Sequence, residues 1–256
     1  MIKLLKIELL KVAYYRTFWV FVLLYAMLIL LLTNSVKGLL AVADAGINPF
    51  SFPQVWHNLA YLVSYLHALP CILIIMLISN EFSFKTFRQN VIDGMSRGEA
   101  VSAKFVLIGF FSIASMSMIA VYGLIRGLAD GEFDHAGQIF EQVYYMPRLL
   151  LQLAGYMALA ALFGFVFKKA ALAIVGFLTY LLLAEGFIGM RLPETAARYL
   201  PLKVLSQLVP FPVNAVVPFS ADTTLHLGTE TAALLAVVYI VLFYGGSLLL
   251  MRRANL

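Results

Sequence analysis

The stretch "NEFSFKTFRQNVIDGMSRGEA", residues 80–100, places acids, bases and aromatics between two strongly apolar runs. Its acids and bases suit ion pairing, and its aromatics suit an apolar helical stripe. Phe84, Phe87 and Val91 recur at i, i+3 and i+7 and form one apolar helical stripe, while Glu81, Lys85 and Arg88 fall on a neighbouring face. Glu81 stands four residues before Lys85, the spacing of a supporting helical ion pair. Asp93-Gly94 then supplies a turn. Ser96-Arg97-Gly98-Glu99 matches a capping box, in which the Ser96 hydroxyl accepts from the Glu99 amide and the Glu99 carboxylate accepts from the Ser96 amide. A short amphipathic helix, a hard turn and a capped restart make a defined elbow.

Polar residues inside the apolar runs are few. His67 precedes Pro70 by three residues, so its ring either satisfies carbonyls freed by a proline kink or, as the alternative, lines a substrate pathway or gate. Glu185 either meets water at the end of its run or lines the outer end of a path, with Arg191 or Arg126 as a partner. Gln152 and the serines at 112, 115 and 117 complete the set, the serines and Gly109 reading as small residues for close helix contact. An intramembrane enzyme, the alternative class, needs a convergent constellation. There is no H-E-x-x-H, and the single cysteine, Cys71, can form neither an intrachain disulfide nor a thiolate zinc site. No glycine precedes Lys-Ser or Lys-Thr, so the phosphate-cradling G-x-x-x-x-G-K-[ST] loop is missing. No catalytic residue and no metal ligand is assigned.

The elements that must position these groups follow from composition. A chain of 256 residues that is 62% hydrophobic and 12% charged is an integral membrane protein. The expected fold is all-α, a single polytopic transmembrane domain over residues 1–256. Six runs reach the ~20 apolar residues that a hydrocarbon core requires; they lie near 17–36, 58–79, 104–125, 148–167, 170–190 and 231–251. Lys168 and Lys169 alone separate the fourth from the fifth. Residues 1–16 form an amphipathic helix, with Ile2, Leu5, Leu9 and Val12 on one face and Lys3, Lys6, Glu8 and Lys11 on the others. The first run is too long for a signal-peptide core of ~7–15 apolar residues and is expected to be retained. Residues 192–230, broken by Pro193, Pro201, Pro210, Pro212 and Pro218, suit short helices dipping into the outer leaflet.

Twelve of the eighteen Lys and Arg residues fall on one side if the N-terminus is cytoplasmic, including Lys85, Arg88, Arg97, Lys104, Lys168 and Lys169. Both termini and the 80–100 stretch are therefore expected inside, in the cell (inner) membrane. The net charge of +5 is accounted for by basic ends of apolar runs facing lipid headgroups, and not by nucleic acid. A basic amphipathic helix can also serve only as a lipid anchor, and a non-transporting scaffold remains a third class.

The layout resembles the permease subunits of the type-2 ABC exporter family, the class that includes the membrane halves of sterol and multidrug half-transporters. The resemblance covers the whole chain in layout and residues 81–104 in motif: Glu81, Thr86, Arg88, Ser96-Arg97 and Lys104 match the family pattern. Lys85 stands where Gly is usual, and Asp93-Gly94 where a Pro is common. The resemblance implies a coupling loop at 81–104, with Glu81, Phe84, Phe87, Arg88, Val91, Ser96 and Arg97 facing an ATP-binding cassette ATPase subunit beside the N-terminal connecting helix. It further implies a second permease subunit in a homodimer or heterodimer, a re-entrant element before the last span, and outward transport of a hydrophobic or amphipathic substrate. No cofactor belongs to this chain; ATP and Mg are expected on the partner ATPase.

Overall fold

In hydrocarbon every backbone N–H and C=O must be satisfied within the segment, so long apolar runs fold as helices. The computed structural model describes residues 2–42, 48–130, 136–212 and 227–253, and the regular elements among them are all helical. These are α1 (Ile2–Ala13), α2 (Arg16–Val42), α3 (Val55–Ser64), α4 (Ala68–Ser83), α5 (Thr86–Ile92), α6 (Arg97–Asp130), α7 (Tyr145–Phe167), α8 (Ala170–Thr179), α9 (Glu185–Arg191), α10 (Glu194–Ala197), α11 (Pro201–Ser206) and α12 (Thr229–Arg253). A π-helical turn at Tyr180–Ala184 joins α8 to α9 into one continuous rod.

Five rods are long and apolar enough to cross a bilayer: α2, α6, α7, α8–α9 and α12. The helices α3 and α4 pass the same test only as a pair, and they bend by 48° relative to one another. The single run expected at 58–79, with a kink at Pro70, is thus two helices. The break lies at residues 65–67, ahead of Pro70, which occupies the first turn of α4, where an amide has no intrahelical acceptor and its loss costs little.

The most deeply buried span is α7, which packs against α4, α6 and α12. Small residues let neighbours close on it. A methyl group at Gly155 would collide with Leu205 of α11, and one at Gly164 would stand 3.2 Å from Ile78 of α4. A methyl group at Gly109 would meet no atom within 4 Å among the described residues, so the close helix contact expected there is not made within this chain's described part. Ser112 is buried and donates to Ile108 O in its own helix at 2.9 Å.

The expected helix over 81–92 is interrupted. Residues 81–83 finish α4, and Lys85 adopts left-handed backbone, φ 56° and ψ 22°, before α5 begins. That conformation costs a non-glycine residue about 1–2 kcal/mol. Gly94 at φ 94° makes the second turn, and the capping box forms as read: Ser96 N to Glu99 Oε2 is 2.8 Å and Glu99 N to Ser96 Oγ is 3.2 Å.

Between α9 and α12, α10 and α11 are short helices packed on the bundle end. Residues 213–226 of the expected dipping segment lie outside the described residues.

Candidate functional site: a charge cluster beneath a short exposed helix

One end of the bundle gathers α1, the end of α4, α5, the start of α6, the α7–α8 turn and the end of α12. Its centre is a four-charge cluster. Lys104 of α6 donates to Glu81 Oε1 of α4 at 2.6 Å and to Glu8 Oε2 of α1 in a short contact. Lys11 donates to Glu8 Oε1 at 3.2 Å and to Glu81 Oε1 at 3.3 Å. Lys104, Glu8 and Glu81 are buried, while Lys11 reaches solvent.

Burial of charge is tolerated only when partners replace water. Burial pushes the Glu8 carboxyl up, but Lys104 and Lys11 outweigh it and hold the group below the usual carboxylate range. For Lys11, burial pulls the ammonium down, and Glu81 and Glu8 together carry it above its ordinary value. Both directions favour the ionised forms of Glu8 and Lys11. The elbow between α1 and α2 is fastened alongside: Asn80 Nδ2 donates to the Tyr15 hydroxyl at 3.0 Å, and Trp19 Nε1 to Ala13 O at 2.9 Å.

These contacts correct several expectations. Glu81 pairs with Lys104 and Lys11 and not with Lys85, because the left-handed break at Lys85 destroys the i,i+4 register. Phe87, expected to face a partner, is turned inward. It is 1% exposed, with ring centroids 4.7 Å from Phe82 and 6.1 Å from Phe165, and Lys104 Nζ lies 5.9 Å above its ring. Arg97, expected to meet a partner's acids, donates to Arg252 O at 2.6 Å and Met251 O at 3.3 Å, capping the carbonyl end of α12. Ser96 is spent on the helix cap, and Val91 is half-buried. Phe84 stays outside at 78% exposure, joined by exposed Arg88 and by Ile92, which the sequence reading had not singled out.

The two residues suggested for a pathway also have structural surroundings. Glu185 is buried and does not pair with Arg191 or Arg126. Its Oε1 accepts from Lys203 N at 2.8 Å, and its Oε2 accepts from Leu202 N at 2.9 Å and the Tyr180 hydroxyl at 3.0 Å. The carboxylate therefore takes the free amides at the start of α11, just after Pro201. His67 is buried with its ring 5.1 Å from Tyr156, and neither ring nitrogen has a hydrogen-bond partner among the described residues, so it satisfies no freed carbonyl.

Sequence reasoning placed Glu8 on a polar helix face without a role. The signal was present: Glu8 is the sole acid before Asp44, among Lys3, Lys6, Lys11, Arg16 and Lys37.

A family model described as ABC-2 family transporter protein matches residues 4–184, a stretch that runs from within α1 through α8 and contains all four members of the charge cluster. No curated protein and no solved structure gives a significant match.

Proposed function

The chain belongs to the ABC-2 family of transporter proteins, and on that premise we propose that this permease subunit exports a hydrophobic or amphipathic substrate, driven by a cassette ATPase that docks on α5. The observation that carries the docking reading is the pairing of an exposed tip with a rigid base. Phe84, which closes α4, and Arg88 and Ile92 of α5 are exposed, and beneath them Phe87 is packed inward and α1, α4 and α6 are tied by Lys104, Glu8, Glu81 and Lys11. A segment held in this way transmits displacement to α4 and α6 instead of absorbing it.

ATP and Mg reside on the cassette subunit, whose motion α5 receives. The basic end faces the cytoplasm of the cell membrane, with both termini on that side, in line with the distribution of Lys and Arg. A second permease subunit completes the pathway.

The test compares three variants in the detergent-purified complex with its cassette subunit. Phe84→Ala removes an exposed aromatic anchor, expected to cost the interface about 2 kcal/mol, and Arg88→Glu adds repulsion against an acidic groove. Both are expected to weaken assembly and transport-linked ATP hydrolysis without lowering the stability of the permease. Phe87→Ala is expected to do the reverse, destabilising the permease by about 3–5 kcal/mol as a buried aromatic truncation. Well-folded Phe84→Ala and Arg88→Glu variants that bind and couple as the parent does would refute docking on α5.

A further inference from the structure

Lys168 and Lys169 are the whole connection between α7 and α8, so their depth is set by the spans they join. These spans have 23 and 22 residues, roughly 33–35 Å at ~1.5 Å per residue, close to the ~30 Å of a hydrocarbon core. The turn cannot rise far above the bilayer and must sit in the headgroup layer. Lys168 closes α7 in left-handed backbone, φ 56°, its amide donating to Gly164 O at 3.0 Å, and its ammonium lies 5.7 Å above the Phe82 ring.

Facing this turn, α5 and its preceding residue bring Arg88 and Lys85. The four cations line a cleft of about 370 Å³ whose apolar walls are Phe82 and Phe87. Glu81 also borders it; its Oε1 is engaged by Lys104 and Lys11, and its Oε2 has no hydrogen-bond partner among the described residues. Among the described residues, no acid forms an ion pair with Lys85, Arg88, Lys168 or Lys169. Lys85, Arg88 and Lys169 are exposed and Lys168 is half-buried. The concentration of cations at headgroup depth, above aromatic walls, calls for an amphipathic anion.

We propose that this cleft binds the phosphate of an anionic phospholipid headgroup, with the acyl chains passing into the hydrocarbon. Depth argues for lipid over an acidic segment of the ATPase, since Lys168 and Lys169 are fixed in the plane that phospholipid phosphates occupy. The lipid bridges α5 to the α7–α8 turn, so leaflet composition bears on the coupling segment. The inference rests on the membrane placement given above and not on where the ATPase docks.

The test uses the full-length permease with its cassette subunit, stripped of lipid in detergent and titrated with phosphatidylglycerol or phosphatidylcholine, with bound lipid read by native mass spectrometry. The parent is expected to retain phosphatidylglycerol at least tenfold better than phosphatidylcholine. K168Q/K169Q and, from the other wall, R88Q are expected to lose that preference by about fivefold per cation removed. R253Q removes a cation at the end of α12 that does not line the cleft, and is expected to bind as the parent does. Unchanged phosphatidylglycerol retention in K168Q/K169Q and R88Q would overturn the proposal, as would an equal loss in R253Q, which would mean general charge attraction. Displacement of phosphatidylglycerol by millimolar inorganic phosphate would reassign the cleft to free phosphate and overturn the lipid assignment. Loss of the cassette subunit from K168Q/K169Q in lipid-free detergent would make the occupant an acidic protein surface and equally overturn it. Retention of that subunit by K168Q/K169Q, together with lost lipid preference, supports the proposal whether or not α5 is the docking element.

Discussion

At the scale of single residues, Lys104 is the hinge of the account. It is the cation shared by two carboxylates that come from helices 73 residues apart in sequence, Glu8 and Glu81. A buried pair adds little net stability when formed, but removing one member strands the other in a poorly solvating interior. Lys104→Met leaves Glu8 and Glu81 facing each other with only Lys11 between them, and is expected to destabilise the chain by about 3–5 kcal/mol. Denaturant unfolding in detergent measures this, and adding Glu8→Gln to Lys104→Met is expected to recover part of the loss. A Lys104→Met protein as stable as the parent would show that the cluster does not hold α1. The sequence displayed every member of the cluster but not its pairing. The Glu81-to-Lys85 spacing obeyed the local rule, yet the left-handed turn at Lys85 and a buried lysine 23 residues away decided the partner.

At the scale of elements, α1 is joined to the bundle by Glu8 and Lys11 together with the burial of Val12, and this makes its docking pH-dependent. Glu8 has a depressed folded value, so its contribution is complete above the ordinary glutamate value of about 4.3 and is lost as pH falls through the lower folded value. Lys11 is raised, so its contribution is complete below about 10.4 and is lost as pH rises through the higher folded value. Hydrogen exchange of the amides of residues 8–13 is expected to be slow and flat between roughly pH 5 and 10 after correction for intrinsic rates, with protection falling in acid below about pH 4. Acid protection unchanged down to pH 2 would contradict the role of Glu8. Elements were legible where chemistry marks their ends. The Ser96–Glu99 box opens α6 and the Lys168-Lys169 pair separates α7 from α8 as read. The break between α3 and α4 was legible only as a kink near Pro70, and its place was not, because Tyr65, Leu66 and His67 carry no stop signal and lie within a continuous apolar pattern.

At the scale of the whole molecule, hydrophobic content alone carried the membrane class, and the residues of 81–104 carried the family that the match over 4–184 establishes. The direction in which each side chain of α5 points was beyond sequence, since an i, i+3, i+7 stripe looks the same whether it meets its own bundle or a partner. Here the stripe is divided: Phe87 turns in and Phe84 turns out. The α2, α8–α9 and α12 rods show broad apolar faces outward, including Leu23, Met27, Leu182 and Leu234, as expected of surfaces that meet lipid or a second permease subunit. The central claim is that the cassette subunit engages the molecule at α5, at the basic end. The most direct measurement places a photoreactive benzoylphenylalanine at the exposed Phe84 position and, separately, at Met190, which is 82% exposed on α9, outside the basic end. Cross-linking of the cassette subunit is expected from position 84, sensitive to Arg88→Glu, and none from position 190. Capture from position 190 with none from position 84, in complexes that still hydrolyse ATP, would contradict it.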